Sequence, residues 1–492
     1  MSDVHLEYLN DAYIKIKADP GIVMELSEHL TYKAANYKYN PKYRARLWDG
    51  NISLVNRLTG IVYAGLAKRI KKFCDKEGYS VTFDDQLYYD NVSKAEVEEH
   101  IKSLNVPEQF VSRDYQLDSV VECLRSRRRT LLSPTSSGKS YMIYLIHTWY
   151  KQKSLIIVPT TGLVDQFASD LIDYGFKGSI HTSNKGLSKD HNIDADVVIT
   201  TWQSLNNGKS LVPAGWYNQF GVVFGDEAHG AKAACLIKII TSMTDTPHRF
   251  GTTGTLGDDP LTQVTVEGLF GPIYKSTTTR ELIDGGHASD LKIKAIVLRY
   301  PEDVRKEFNK KVIDTKTGKA RKRTYMEEID FINSYKKRTT FIKNLALSLK
   351  GNKLIFFRMR EHGLDLYKAF DNSTNVFYID GTVKDREAIR KAMEEEENAI
   401  LIGSLGTTST GVSIKRLLHM IAAAPVKAKI KLLQAIGRML RQHADKDEAY
   451  MYDIVDDLSW GSSKNYALTH FEERAKVYDS EQFEWKIYNV KL

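Results

Sequence analysis

An α/β fold of two tandem parallel-sheet lobes, with a small α+β domain in front, is what this sequence predicts, and three observations predict it. Over 108–295, short apolar runs (154–159, 195–200, 222–224) alternate with helical patterns such as 162–174, the pattern of βαβ units on a parallel sheet. After a Lys-rich passage the alternation resumes from about Thr339, with strands expected at 354–357, 376–379, 399–403 and 420–424. The first 107 residues have a different character, mixed and short-period, as in a small α+β unit. The expected division is therefore a basic α+β domain at 1–107, a first lobe at 108–300 and a basic connection at 301–334. A second lobe at 335–455 and a C-terminal extension at 456–492 complete it. A length of 492 residues suits about three domains at roughly 150 residues each.

Composition narrows the class. The 42% apolar and 27% charged fractions are those of an ordinary globular protein, and no apolar run reaches the roughly 18 residues that span a bilayer. Cys74, Cys123 and Cys235 are odd in number and scattered, giving neither a disulfide framework nor a metal spacing, which points to a reducing, cytoplasmic setting. The start, Met-Ser-Asp-Val-His-Leu-Glu, has no basic and apolar signal pattern. A net charge of +8 favours polyanionic partners. The segment from Lys33 to Lys76 is basic and aromatic-rich, with eleven Lys/Arg against Asp49 and Asp75.

The chemistry concentrates after the expected strands. An apolar strand runs into Ser133-Pro134-Thr135-Ser136-Ser137-Gly138-Lys139-Ser140 and then a helical pattern. In such a phosphate loop, backbone amides and a helix N-terminus surround phosphates. Gly138 allows close approach, Lys139 adds a point charge and the Ser140 hydroxyl ligates Mg²⁺. Ser133 stands where the first glycine of the pattern is usual. Asp226-Glu227-Ala228-His229 follows a buried strand, where open α/β sheets bind ligands. Asp226 is expected in the Mg²⁺ shell, Glu227 as the group polarising the attacking water, and His229 beside the nucleotide. Gln116, about 20 residues before the loop, can donate and accept and so read an adenine edge, or else cap a helix. Arg438 and Arg441, three apart on one helix face with Gln434 one turn earlier, are placed to stabilise phosphoryl charge, or to form a plain amphipathic face. These features together describe ATP held between two lobes.

At this point residues 110–445 resemble superfamily-2 helicases with two RecA-like lobes. Further motifs add to the resemblance: Ile156-Ile-Val-Pro-Thr160-Thr161, Thr200-Thr201-Trp202-Gln203-Ser204, Thr253-Gly254-Thr255, and Ser404 through Thr407 to Ile414. The segment Tyr39-Asn-Pro41-Lys42-Tyr43-Arg44-Ala-Arg46-Leu-Trp48-Asp49-Gly50, with Thr59-Gly60 and Phe73-Cys74-Asp75, resembles the N-terminal domain of the UvsW branch-migration helicases of tailed phages. That resemblance implies fork regression, Holliday-junction branch migration and R-loop unwinding in phage recombination, repair and replication, in the host cytoplasm.

A motor that reads backbone uses hydroxyls and amides on phosphates. Thr160, Thr161, Thr201, Ser404 and Thr407 fit such contacts, or fit helix capping equally well. Lys38, Lys42, Arg44 and Arg46, interleaved with Tyr39, Tyr43 and Trp48, combine phosphate-binding charge with rings able to stack on bases, although a solvated basic face gives the same pattern. Basic residues 305–323 are a second strand contact or a charged loop. The expected partner is branched DNA, with an RNA–DNA hybrid as a variant, and the expected state a monomer. Two other classes stay open: a restriction-type translocase coupled to a nuclease built on Asp456, Asp457, Glu484 and Lys486, and an ATP-switched binding module that does not unwind.

Overall fold

The computed structural model describes residues 2–492 apart from 88–89, 184–192, 207–211, 214, 233, 315–316, 371–374, 384, 405, 408–415, 425–428 and 441–447. The chain divides into two units, Met1–Thr277 and Thr278–Leu492.

In the first unit the leading strands are Val4–Tyr8 (β1), Tyr13–Ala18 (β2), Thr31–Lys33 (β3), Asn51–Ser53 (β4), Ile61–Tyr63 (β5) and Val81–Phe83 (β6). Four of them form a mixed sheet in the order β5-β2-β1-β6, while β3 and β4 pair as a separate antiparallel hairpin. Alternation decides which face is buried: Val4, Leu6, Ile14 and Ile16 turn inward against Leu26, Ile70 and Cys74 of the helices Pro20–His29 and Ala67–Glu77. This core also takes in Val264, from the helix Pro260–Phe270 of the following lobe. The contact is close, since a Cβ on Gly65 would lie 2.2 Å from the Glu267 carbonyl oxygen. Arg69 adds an ion pair to Glu267 at 2.6 Å, and Arg128 one to Asp11 at 3.2 Å.

The first lobe is a sheet of Arg128–Leu132 (β7), Ser154–Val158 (β8), Ile180–Ser183 (β9), Val197–Thr201 (β10), Val222–Asp226 (β11), His248–Thr253 (β12) and Ile273–Lys275 (β13). The order is β13-β7-β12-β11-β8-β10-β9, with every neighbour parallel. Its central strands β8, β10 and β11 are buried and mostly apolar because both faces are covered. Ile156, Val158, Val197, Ile199 and Phe224 pack on one side against the helices Asp114–Ser126 and Lys139–Tyr150, and Leu155, Ile157, Val198 and Val223 pack on the other.

The second unit repeats the plan with Asp290–Arg299 (β14), the short hairpin Val312–Ile313 (β15) and Ala320–Arg321 (β16), Asn352–Phe357 (β17) and Val376–Ile379 (β18). Ile400–Ser404 (β19), Leu417–Ala422 (β20), Glu448–Asp457 (β21) and Glu484–Lys491 (β22) follow. Its seven-stranded sheet has the order β18-β19-β17-β20-β21-β14-β22, again all parallel.

The structure moves three expected boundaries. Strand β14, expected within a first lobe reaching residue 300, pairs with β21 and β22 of the second sheet. The passage at 301–334 folds as the helices Glu302–Phe308 and Tyr325–Ser334 around the β15–β16 hairpin, all inside the second unit. The tail beyond 456 supplies β22, which is an edge strand because β14 offers it a row of unpaired backbone groups. No described helix is long and apolar enough to cross a membrane.

Candidate active site

At the C-terminal end of β7 the chain turns through Ser133, Pro134, Thr135, Ser136 and Ser137 into the helix Lys139–Tyr150. Ser136 and Gly138 take the left-handed conformation, with φ of 71° and 80°. Glycine is required at 138 on space as well, since a Cβ there would sit 2.3 Å from Gln116 Nε2. The loop is stitched by its own hydroxyls: Ser133 Oγ donates to Ser137 Oγ at 2.6 Å, and Ser137 Oγ to the Pro134 carbonyl at 2.7 Å. A serine at the usual first-glycine position is thus absorbed as a fully buried hydrogen-bonding group. Lys139 Nζ lies 3.3 Å from both the Ser133 and Pro134 carbonyls, bent over the loop where a phosphate would compete for it. Ser140 Oγ is 2.9 Å from the Tyr174 hydroxyl.

Gln116 is buried, accepting from Arg113 N–H at 3.0 Å and donating to the Ser137 carbonyl at 2.8 Å. Its amide therefore works as a helix cap and a brace of the phosphate loop. Tyr115 donates to the same carbonyl at 2.8 Å, a contact that sequence reasoning missed.

Strand β11 ends in Asp226, and Glu227 follows with φ 52°. Thr252 Oγ1 donates to Asp226 Oδ1 at 2.7 Å. His229 Nδ1 lies 3.1 Å from Glu227 Oε2 and 2.9 Å from Thr253 Oγ1, and Thr253 Oγ1 is also 3.3 Å from Glu227 Oε2. Burial and the neighbouring Glu227 charge push the Asp226 carboxyl well above the ordinary carboxylate range, against the pull of Lys139. Burial acts on Glu227 in the same sense, but the His229 hydrogen bond, Lys139 and Thr253 outweigh it and hold that carboxyl low. The loop and the acids meet through one element, because β12 lies between β7 and β11. Its last residue accepts Ser133 N–H at the Thr253 carbonyl, 2.8 Å away, while its side chain holds Glu227 and His229. Thr253 belongs to a motif singled out by the resemblance, whereas the bonds of Thr252 and Thr253 to the two carboxylates carry no sequence signal.

The expected nucleic-acid contacts divide. Thr201 is buried, and its hydroxyl accepts Ser204 N–H at 3.1 Å, so it caps the turn Trp202–Leu205 and is withdrawn from any ligand. Thr160 precedes the helix Thr161–Asp173, and Thr161 is exposed at its start. In the second unit Ser404 Oγ donates to Thr407 Oγ1 at 2.8 Å and accepts Thr407 N–H at 3.2 Å, again a local cap. The remainder of that motif, 408–414, and Arg441 lie outside the described residues. Gln434 and Arg438 fall on the helix Lys429–Met439, with side chains outside the described set.

Lys38, Lys42, Arg44 and Arg46 are exposed on the loop between β3 and β4. In the 305–323 passage much of the charge is structural: Arg305 donates to the Tyr300 and Ser459 carbonyls, Arg321 pairs with Asp314 and Glu327, and Arg323 donates to the Phe308 carbonyl. The nuclease alternative loses its carboxylates. Asp456 is fully buried against Arg338 at 2.7 Å, and the Asp457 carboxylate accepts the N–H and hydroxyl of Ser459. Glu484 and Lys486 sit on the exposed edge strand β22.

A family model of the DNA helicase UvsW N-terminal domain matches residues 3–84, and one of the res subunit of type III restriction enzymes matches 100–258. The ATP-dependent DNA helicase uvsW of Enterobacteria phage T4 is 34% identical over 520 residues, covering 100% of both chains. The DNA 3'-5' translocase XPB2 of Sulfurisphaera tokodaii is 24% identical over 73% of this chain and 86% of its own. Among solved structures, the crystal structure of T4 UvsW superposes with a TM-score of 0.50 at 32% identity, over 99% of each chain. Full-length likeness at that identity, on the fold and site just described, places the chain in the UvsW family of superfamily-2 ATP-dependent DNA helicases.

Proposed function

We propose that this helicase acts on branched DNA, regressing forks and migrating four-way junctions, with displacement of RNA from RNA–DNA hybrids as a related activity. The setting is phage recombination, repair and replication in the host cytoplasm, and the working form is a monomer. The observation that carries the motor part of the reading is the junction of three strand ends at β7, β12 and β11. Through Thr253 the phosphate loop and the Glu227–His229 pair share one bonded element. A change at the phosphate is therefore felt at the carboxylates.

In this reading Pro134 to Gly138 and Lys139 cradle the phosphates of ATP, and Glu227 takes the proton of the attacking water. Gln116 and His229 keep the loop and the carboxylate in place. Ser140 and Asp226 are the residues that would hold Mg²⁺, which neutralises phosphate charge when bound. The donor set fits a cation, because the Asp226 carboxylate is buried beside a second carboxylate just past the end of the same strand, and feels the charge of Lys139, which precedes Ser140 in the loop. Arg438 and Arg441, with Gln434, are assigned to stabilising the phosphoryl charge. Thr160, Thr161, Ser404 and Thr407 are assigned to the helix ends along which DNA backbone passes, and Lys38, Lys42, Arg44 and Arg46 to a second DNA contact. The preference for branches rests on that second contact, since two tethered surfaces can hold two arms.

The test is ATP turnover and strand separation measured side by side on single strand, duplex, fork, four-way junction and RNA–DNA hybrid. Fork and junction are expected to be opened faster than blunt duplex. Equal rates on all five substrates would refute the branch preference, and ATP turnover indifferent to DNA would refute the motor.

A further inference from the structure

The loop between β3 and β4 is built as a rigid finger. Ala34 N–H bonds the Gly50 carbonyl at 2.9 Å and closes the loop at its base, where Lys33 Nζ also donates to the Asp49 carbonyl at 2.9 Å. Inside it, Tyr37 and Tyr43 meet edge to face with ring centroids 4.8 Å apart. Tyr37 lies so close over Gly50 that a Cβ there would be 2.5 Å from the ring. Trp48 turns back, its Nε1 donating to the Asn51 carbonyl at 2.7 Å. Asn40 caps the short turn Pro41–Arg44 through Lys42 N–H at 3.0 Å, and Leu47 N–H reaches the Lys42 carbonyl at 2.8 Å. Closed ends and a self-packed interior are the marks of a compact Ω-type loop.

Three of its rings are therefore spent on holding the finger together, and two large apolar side chains are not. Tyr39 is 72% exposed and Leu47 79%. The Arg44 guanidinium lies over the Tyr39 ring, 5.9 Å from its centroid, and is steadied by a 3.3 Å bond from its Nε to the Lys38 carbonyl. Around them stand the exposed side chains of Lys38, Lys42 and Arg46. The single acidic residue of the loop, Asp49, stands at its base, exposed and engaged by Asn51, whose N–H donates to it at 2.9 Å and whose Nδ2 donates at 2.6 Å. A flat ring and an aliphatic tip in a ring of cations match one kind of surface: stacked bases flanked by phosphates.

We propose that residues 34–50 form a strand-separation pin, with Tyr39 and Leu47 inserting at the branch point of DNA and stacking on the base pair to be opened. The proposal deepens the reading above and rests on it for the substrate. The cations hold the two backbones on either side, and the ring replaces the stacking partner that an opened base loses. Pulling by the motor is then converted into strand opening at a fixed place.

The experiment uses the full chain on a fork and a four-way junction carrying 2-aminopurine either at the branch point or in the middle of an arm. Without ATP, wild-type protein should raise fluorescence at the branch point and leave the arm label unchanged. Y39A/L47A should abolish that rise. With ATP, it should consume about tenfold more ATP per base pair opened, the scale expected for losing a base–aromatic stack. Tyr39→Phe keeps the ring and should behave as wild type, and both changes lie on the surface, so the thermal transition should stay where it is. A wild type that leaves the branch-point label dark overturns the pin, as does a Y39A/L47A variant equal to wild type in both readouts. A wild type that opens no substrate with ATP refutes the proposed function instead, and the ATP-free fluorescence still reads the pin.

Discussion

Replacing Asp456 separates two meanings of a carboxylate at the end of a strand, a catalytic group or a buried structural charge. The side chains of Asp456 and Arg338 are both 0% exposed. Arg338 Nε meets Oδ1 at 2.7 Å and its Nη2 meets Oδ2 at 3.1 Å, while the Tyr300 hydroxyl donates to Oδ1 at 2.9 Å. Asp456→Leu leaves a guanidinium with no anion in the interior, its one remaining strong contact being the Ala423 carbonyl at 2.6 Å. Breaking a buried pair in this way costs about 3–5 kcal/mol, and exchanging both partners for apolar residues is close to neutral. For a unit of this size that loss lowers Tm by about 10 °C. Differential scanning calorimetry of the full chain should find the drop in D456L and in R338M, and most of it restored in R338M/D456L. A D456L protein that melts with the wild type and has lost a metal-dependent DNA cleavage would refute the argument, because the carboxylate would then belong to an active site.

Other variants address the nucleotide site and its surroundings. Lys139→Ala should abolish ATP hydrolysis, and Glu227→Gln should retain ATP binding while turnover stops; normal turnover in E227Q would remove Glu227 from the role of base. Arg438→Ala and Arg441→Ala should each lower kcat by about 10³ if they act as arginine fingers, with nucleotide binding to the first lobe retained. Acid should weaken the first unit. Burial pulls His147 and His248 down to about 4, so each favours the fold in its neutral form, and that stability is fully present above about 6.5 and lost as pH falls towards 4. Between pH 6.5 and 5.5 each histidine should cost about 1 kcal/mol, and a Tm that does not fall over this range would contradict the assignment. Reversing Lys42, Arg44 and Arg46 to Glu should weaken junction binding and make the slope of log Kd against log salt shallower by about 2–3, and an unchanged slope would show that these side chains touch no phosphate.

What the sequence made legible was the part of the molecule where function and strand ends coincide. Lys139, Asp226 and Glu227 each come shortly after an apolar run, and in a parallel sheet those positions necessarily collect along one edge. Less legible was whatever depends on a partner far along the chain. Asp456 reads as a carboxylate after a strand until Arg338, 118 positions earlier, is brought against it. Strand β22 reads as a polar tail because only two of its eight residues are better than exposed, and an edge strand needs no apolar alternation to be held by its backbone. The β14 boundary was missed for a related reason. The run at 290–299 looks like one more strand of the preceding alternation, and only its pairing with β21 assigns it to the second sheet. Thr201 shows the limit of residue-type reasoning at helix ends. A hydroxyl there serves a phosphate or the first turn of the helix, and the Thr201 hydroxyl accepts Ser204 N–H.

Backbone conformation gives an independent view of where local preference has been overridden. Among the described residues, eight non-glycine residues have positive φ: Asn36, Arg46, Asn105, Arg127, Ser136, Lys151, Glu227 and Gln482. Four of them, Asn105, Arg127, Lys151 and Gln482, come at or just after helix C-termini, where a left-handed residue ends the helix in the ordinary way. The other four lie in three loops: Ser136 and Glu227 in the turns after β7 and β11 at the candidate nucleotide site, Asn36 and Arg46 in the finger. A side chain in this region costs about 1 kcal/mol that glycine would avoid, so it persists where surrounding contacts hold it. For Glu227 those contacts are His229 and Thr253, and the turn they enforce is what separates its carboxylate from that of Asp226, the residue before it. For Arg46 the hold is the bond from its own N–H to the Tyr43 carbonyl, at 3.0 Å, and the side chain itself is exposed. Glycine would fit that backbone more easily than arginine. Arg46→Gly should therefore leave the fold of the finger intact and, with it, the thermal transition, while removing one exposed positive charge.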